Sequence, residues 1–403
     1  MFVAMKQIAL ITASPRPIPA TMGGATQTMM THLIDVNEES GNNEFVIFSY
    51  YEVEAEKKSH DYKHSRFFFY KPNNFVDNAF SFYWRVLRKL TGERVFVRSR
   101  FVKWCADIIK KNDLDVVILE GGCFQVQQLR EQIPNKIILH MHIDRLNKEL
   151  KASAQMIKAS DGIFAISEFC KKRMLEVVPS AADKILVLKN TIDTELFSFQ
   201  GSEVRNIYRE KLGISKDKKV VSYCGRIDPT KGVLELIKAI HLLNDENIHL
   251  LIIGSSAYLG SKKNKYFDEL ESYSKSLKGG ITFTGFISQK ELPLYLSVSD
   301  LACVPSVCFE AAGNVTIEAM ACELPVVASS QGGIPEYADT RACILVDYND
   351  RFVENMAQNI HRVLYDERLY DNLKKEARSI SKEFDKHNYY INFCNSVEQI
   401  LKL

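Results

Sequence analysis

Short apolar runs alternate with longer stretches of helical periodicity along the whole chain, the pattern of βαβ units in parallel sheets. A first series holds Ile8-Ala9-Leu10-Ile11, Phe45-Val46-Ile47-Phe48, Val116-Val117-Ile118-Leu119, Ile137-Ile138-Leu139, Gly162-Ile163-Phe164-Ala165-Ile166 and Ile185-Leu186-Val187-Leu188. It predicts six strands in one Rossmann-like domain. A second holds Val220-Val221-Ser222-Tyr223, His249-Leu250-Leu251-Ile252-Ile253, Ile281-Thr282-Phe283, Leu301-Ala302-Cys303-Val304, Val326-Val327-Ala328 and Cys343-Ile344-Leu345-Val346. That predicts a second doubly wound domain. Asn190-Thr191-Ile192-Asp193 and Phe199-Gln200-Gly201-Ser202 interrupt the periodicity between the two, so the domains are expected at 1–195 and 196–384. The segment 385–403 is expected as a helix crossing back to the N-terminal domain. The fold class expected is α/β, two Rossmann-like domains facing a deep interdomain cleft. Ligands of such open sheets bind outside the carboxyl ends of the strands, so function is sought in the loops that follow strands.

A length of 403 residues is about two to three times a typical single domain and agrees with the two series. Lys and Arg number 52 against 50 Asp and Glu, a net charge of +2, which excludes a globally basic nucleic-acid binder and an acidic disordered chain. A hydrophobic content of 46% and a charged content of 25% are those of a globular chain that buries its own core. The nine cysteines form no C-x-x-C pair and no zinc spacing, and read as buried thiols of a reducing compartment. The start, Met1-Phe2-Val3-Ala4-Met5-Lys6, runs into an apolar strand without a basic leader, and no apolar run reaches the roughly 18 residues of a membrane span. A cytoplasmic protein is expected, able to lie on the inner face of the plasma membrane.

The most informative stretch is Glu310-Ala311-Ala312-Gly313-Asn314-Val315-Thr316-Ile317-Glu318-Ala319-Met320-Ala321-Cys322-Glu323-Leu324-Pro325. Glu310 falls in a strand-to-helix loop, and Gly313 and Asn314 open a helix whose first N–H groups suit an anion. A carboxylate facing phosphate would repel it, so Glu310 and Glu318 suit hydroxyl donors such as a sugar supplies. Taken alone, each also fits a solvated Glu beside a helix cap. Upstream, Arg226 and Lys231 leave a strand end in Gly225-Arg226-Ile227-Asp228-Pro229-Thr230-Lys231-Gly232, two fixed cations that suit a diphosphate.

The E-x7-E spacing of Glu310 and Glu318, with Leu324-Pro325-Val326-Val327-Ala328 behind it, resembles the donor-site signature of the family-4 retaining glycosyltransferases of GT-B fold. Further matches fall in order: the Gly225–Gly232 loop resembles the family's G-R-x-x-x-x-K-G, Gly332-Gly333-Ile334-Pro335-Glu336 its G-G-x-P-E, and Ser160-Asp161-Gly162 with Ser167 its S-D-x-[IV]-x-x-x-S. The chain also resembles bacterial cell-surface polysaccharide enzymes.

The resemblance implies a retaining, metal-independent hexosyltransferase that uses a nucleotide diphosphate sugar, a UDP-sugar being favoured, and a glycan or lipid-linked cell-envelope acceptor. Arg226 and Lys231 would hold the diphosphate with the N–H groups of Gly313, Asn314 and Val315, and Glu318 the ribose. Glu310 would hold the transferred sugar and stabilise charge at its anomeric carbon. Gly23 and Gly24, after the first strand, carry over to the donor phosphates, and Phe286 in Gly285-Phe286-Ile287 marks where the base is read. No cofactor and no metal are expected. Retention is open to same-face attack assisted by the leaving phosphate or to a covalent intermediate. Two departures are Ala311-Ala312, where many members carry a Pro-Phe-like pair, and Glu323, where Gly is frequent. A sugar-nucleotide epimerase and a non-catalytic glycosyltransferase-like subunit are the alternatives.

His140 and His142 share one face at the end of a strand. His142, last before the loop, fits the family's sugar-facing His; His140 reads as a satisfied core histidine. Asp113-Leu114-Asp115 precedes a strand and reads as a turn, not a metal site. Between Phe82 and Lys111 stand nine basic residues (Arg85, Arg88, Lys89, Arg94, Arg98, Arg100, Lys103, Lys110, Lys111) and two acids (Glu93, Asp107), a local excess of seven. Phe82, Tyr83, Trp84, Phe96, Phe101 and Trp104 interleave with them. Segment 82–111 is therefore a candidate for an anionic membrane surface, or equally a solvated helix face over buried aromatics.

Overall fold

The computed structural model describes residues 5–12, 14–91, 98–255 and 265–403. It divides into two compact units, Met1–Asn190 with Lys386–Leu403, and Thr191–Asp385. Both are α/β, each built on one parallel sheet.

In the first unit the strands are β1 (Lys6–Thr12), β2 (Asn43–Tyr50), β3 (Ser65–Tyr70), β4 (Val116–Glu120), β5 (Lys136–Met141), β6 (Gly162–Ala165) and β7 (Ile185–Val187). Their order is β3-β2-β1-β4-β5-β6-β7. The sheet has seven strands where the apolar runs predict six. The extra one, β3, reads Ser-Arg-Phe-Phe-Phe-Tyr, lies at the sheet edge and pairs only with β2, so it lacks the aliphatic run that a strand buried on both faces needs. The central β4 is buried along its whole length.

The Lys386–Lys402 helix belongs to this unit. Phe393 meets Phe45 and Phe164 at ring-centroid distances of 6.2 and 6.1 Å, and Tyr390 donates to Asn37 Oδ1 at 2.6 Å. Of the S-D-x-[IV]-x-x-x-S residues, Asp161 pairs with Arg130 and accepts the Ile137 N–H, while Ser167 caps the helix Glu168–Leu175. Ile400 lies where a Cβ on Gly162 would stand. These residues anchor β6 and the helices that cover it.

The second unit holds β8 (Lys219–Cys224), β9 (Ile248–Ile253), β10 (Ile281–Phe283), β11 (Leu301–Val304), β12 (Val326–Ser329) and β13 (Cys343–Val346), ordered β10-β9-β8-β11-β12-β13. These are the six strands that the second series of apolar runs predicts. Both sheets reverse their direction of growth beside the first strand, between β1 and β4 and between β8 and β11. Such switch points leave a crevice at the strand carboxyl ends where the two flanking loops part.

Two expectations need correction. Cys308 is exposed, so the nine free cysteines are not uniformly buried. The 82–111 stripe is not one surface: the helix Arg100–Ile109 turns Phe101, Val102 and Cys105 inward, and Trp104 packs 6.0 Å from Phe48 and 5.4 Å from Tyr70. Met1–Ala4, Glu93, Arg94 and Phe96 lie outside the described residues. No described helix is long and apolar enough to cross a membrane.

Candidate active site

At the β8/β11 switch point the loops that follow the two strands are joined. Asp228 caps the single turn Pro229–Lys231, accepting the Thr230 N–H at 3.0 Å, and Tyr223 ties the loop down by donating to the Arg226 carbonyl at 2.6 Å. Lys231 leaves that turn and places Nζ 2.6 Å from Glu310 Oε1. The buried Ser306 donates to the same oxygen at 2.8 Å. One carboxylate oxygen of Glu310 is thus held by an ammonium and a hydroxyl.

The backbone beneath this cluster is fixed by glycines. Gly232 takes φ +69°, and a Cβ there would lie 1.8 Å from the Pro305 carbonyl oxygen, next to Ser306. Gly332 takes φ +64°; a Cβ there would lie 2.3 Å from the Glu310 carbonyl oxygen, which also accepts the Gly333 N–H at 2.7 Å. Only glycine combines that conformation with that approach. The K-G loop, the E-x7-E loop and the G-G-x-P-E segment therefore meet around one residue, Glu310.

The helix Asn314–Ala321 starts at Gly313, which offers it no side-chain cap, with Asn314 and Val315 in its first turn. Glu318, inside that helix, has no hydrogen-bond partner for its carboxyl among the described residues, and burial pushes it up to about 7. It lies close to Cys224 at the end of β8 and to Cys322; burial raises both thiols, and the Glu318 charge raises them further. Arg226 is not drawn into the cluster. Its side chain is exposed, with Asp228 3.8 Å away. Phe286, beyond β10, is also exposed. A cavity of about 480 Å³ opens at the ends of β9 and β10, lined by Ile227, Gly254, Leu270, Ile281, Phe283 and Gly285 among others.

The other predicted residues belong to the first unit. Gly23 and Gly24 stand before the helix Ala25–Ser40, at φ +66° and +112°, with Arg16 folded against Gly24. His142 Nε2 lies 2.6 Å from Oε2 of Glu120, the last residue of β4. His140 Nδ1 is 3.0 Å from the same oxygen without hydrogen-bond alignment, so it is buried but not satisfied, unlike the core histidine expected. Burial would raise the Glu120 carboxyl, but the imidazoles, His140 foremost, hold it down at about 2. Burial and then His140 lower His142, against the pull of Glu120. Glu120, against His142, and Ser306, against Glu310, are candidate site residues that the sequence patterns did not point to. Donor atoms of Glu120, His140 and His142 lie within 4.8 Å of one another, the one such trio among the described residues. Yet the 2.6 Å contact is shorter than the roughly 3 Å between ligands that each bond a zinc ion at about 2 Å, and marks direct hydrogen bonding.

Residues 204–380 match the family described as glycosyl transferases group 1. A putative glycosyltransferase, YtcC, of Bacillus subtilis is 28% identical over 283 residues, 68% of this chain and 69% of that one. The lipopolysaccharide 1,2-N-acetylglucosaminetransferase of Salmonella typhimurium is 28% identical over 259 residues, 63% of this chain and 65% of its own. Among solved structures, Anabaena HepE in complex with UDP-glucose superposes with a TM-score of 0.70 at 18% identity, covering 97% of this chain and 99% of that one. Within the second unit lies a domain that matches the glycosyl transferases group 1 model, and the chain as a whole has the GT-B fold of solved glycosyltransferase structures.

Proposed function

We propose that this protein transfers a hexosyl unit from a nucleotide diphosphate sugar, with retention of anomeric configuration and without a metal ion, to a glycan or lipid-linked acceptor of the cell envelope. The observation that carries this is the Lys231–Glu310 pair at the β8/β11 switch point, a cation and a carboxylate at 2.6 Å where a parallel sheet receives its ligand. An arriving diphosphate competes with Glu310 for Lys231. The ammonium moves to the phosphate and stabilises the charge that grows there as the glycosidic bond breaks, the part a metal ion would otherwise play. Arg226, exposed beside Asp228, adds a second cation. Glu310, released but still held by Ser306, turns its carboxylate to the sugar hydroxyls and to the positive charge developing at the anomeric carbon.

The first turn of the helix Asn314–Ala321 receives the phosphates and Glu318 the ribose, while the loop holding Gly285 and Phe286 reads the base beside the cavity at β9 and β10. His142, backed by Glu120, orients a hydroxyl of the sugar or of the acceptor. Likeness to a protein solved with UDP-glucose supports UDP as the carrier, and likeness to a lipopolysaccharide N-acetylglucosaminetransferase supports an envelope acceptor.

The test is a thermal-shift panel of UDP, GDP, ADP and their sugars on the full chain, with and without EDTA, followed by NMR of the product's anomeric proton. Selective stabilisation by uridine nucleotides that EDTA leaves unchanged, and a product with the donor's anomeric configuration, are expected. Stabilisation abolished by EDTA would sink metal independence, and an inverted product would sink retention. No shift with any nucleotide at millimolar concentration would favour a non-catalytic binding subunit.

A further inference from the structure

The helix Asn74–Thr91 presents two opposed faces. At 100° per residue, Asp77, Phe80, Trp84 and Leu87 fall on one side and are partly buried. Asp77 pins this side to the body of the unit, accepting from Tyr70 Oη at 2.7 Å and lying 3.1 Å from Arg100 Nη1, while Arg98 stacks 4.7 Å from the Trp84 ring. On the opposite side Phe75, Ala79, Phe82 and Val86 form a continuous stripe flanked by Val76 and Tyr83, and all six are exposed. Phe75 is 85% exposed, Phe82 62% and Tyr83 59%. A globular surface scatters its exposed apolar side chains singly; here they form one helical row.

The charge around that row has one sign. Arg85 and Lys89 border it and are exposed, whereas Asp77, the only acid of the helix, lies on the inner face against Arg100. We propose that this helix lies in the interface of an anionic lipid bilayer, with Phe75, Phe82, Tyr83 and Val86 entering the acyl boundary and Arg85 and Lys89 on the phosphate headgroups. Phenylalanine and tyrosine suit that boundary, the cations at its edge match anionic headgroups, and among the described residues no carboxylate of this helix faces outward to oppose them. The docking element is thus shorter than the 82–111 stripe and begins earlier, since Phe101 and Trp104 belong to the core. The proposal is independent of the donor site and stands whether or not that site transfers sugar.

The experiment is co-sedimentation of the full chain with vesicles of phosphatidylcholine alone and of phosphatidylcholine with phosphatidylglycerol. Binding to the anionic vesicles at least tenfold above the neutral ones, weakened by 0.5 M salt, is expected on the order of the attraction of two near-surface cations. The double variant Phe75→Asp/Phe82→Asp should lose that binding while keeping its melting temperature, its elution volume and its thermal shift with UDP. Arg85→Glu/Lys89→Glu should lose the anionic preference. The proposal is overturned if the chain ignores both vesicle types, or if Phe75→Asp/Phe82→Asp sediments as before. It is also overturned if the unmodified chain elutes as a dimer that this variant dissociates, because the stripe would then be a contact between copies.

Discussion

Lys231 Nζ and Glu310 Oε1 stand 2.6 Å apart, so the cation proposed for the phosphates and the carboxylate proposed for the sugar neutralise each other before a donor arrives. An isolated cation would hold any passing anion. A paired one responds only to a ligand that offers the ammonium a better partner and the carboxylate a new one, as a nucleotide-sugar does at its two ends.

The two halves of the pair separate on substitution. Lys231→Ala removes a charge-assisted contact to the diphosphate, and UDP affinity is expected to fall about ten- to hundredfold. Glu310→Ala keeps the ammonium and is expected to leave UDP affinity within a few-fold while turnover falls on the order of a hundredfold or more. Calorimetry with UDP and steady-state kinetics measure the two effects. Equal loss of affinity in both variants would refute this division of roles.

Gly332→Ala forces a methyl group to 2.3 Å from the Glu310 carbonyl oxygen at a left-handed backbone position. The expected outcome is a loss of about 1–3 kcal/mol in stability together with at least a tenfold loss in turnover, because the loop can make room only by moving Glu310. Melting curves and kcat at a temperature where the variant is folded separate the two. Intact turnover in the folded variant would show that Glu310 tolerates the shift.

Glu318 gives two pH dependences of opposite sign. Burial raises its carboxyl from the ordinary 4.5 to about 7, so the native state keeps a proton that the unfolded chain releases, and stability is lost as pH rises from 4.5 through 7. Glu318→Gln should therefore stabilise the protein above pH 7, on the order of 1–3 kcal/mol, with the gain fading toward pH 4.5. In the proposed ribose contact the hydroxyls would donate to the ionised carboxylate, so UDP affinity should rise with pH through about 7 and level off, a dependence that Glu318→Gln abolishes. Denaturation and calorimetry from acid to mildly alkaline pH test both, and a variant with unchanged pH profiles would remove Glu318 from the site.

Glu323 occupies φ +63° just after the helix Asn314–Ala321. Glycine, frequent at that place in the family this chain resembles, adopts it without the clash a Cβ brings. Glu323→Gly should stabilise the protein by about 1 kcal/mol, read as a rise in melting temperature with kinetics unchanged. A fall would mean that the glutamate side chain contributes more than its backbone costs.

All six strands of the second sheet are legible as short apolar runs: the inner β8, β9, β11 and β12 are largely buried on both faces, while the edge strands β10 and β13 are only partly buried. Strand β3 is not, since its Phe67, Phe68 and Phe69 stand at an edge and carry no alternation. That Glu310 and Lys231 come together is legible through motif spacing, on which both were singled out. Ser306 and Glu120 left no such mark. Glu120 acquires meaning only when β4 pairs with β5 and sets it opposite His140, a register that no local pattern announces. The basic stripe misled for a related reason: a count of charges and rings along the chain cannot tell which rings a helix turns inward, and Phe101 and Trp104 went in while Phe75, outside the counted segment, stayed out.

The Lys386–Lys402 helix, which covers the first sheet with Phe393, Val397 and Ile400, follows the whole second unit in the chain. On the ribosome, strands β1 to β7 must therefore wait with part of their apolar surface bare while the second unit is made and closes on itself. The two halves of this protein mature in the reverse of the order in which they are begun.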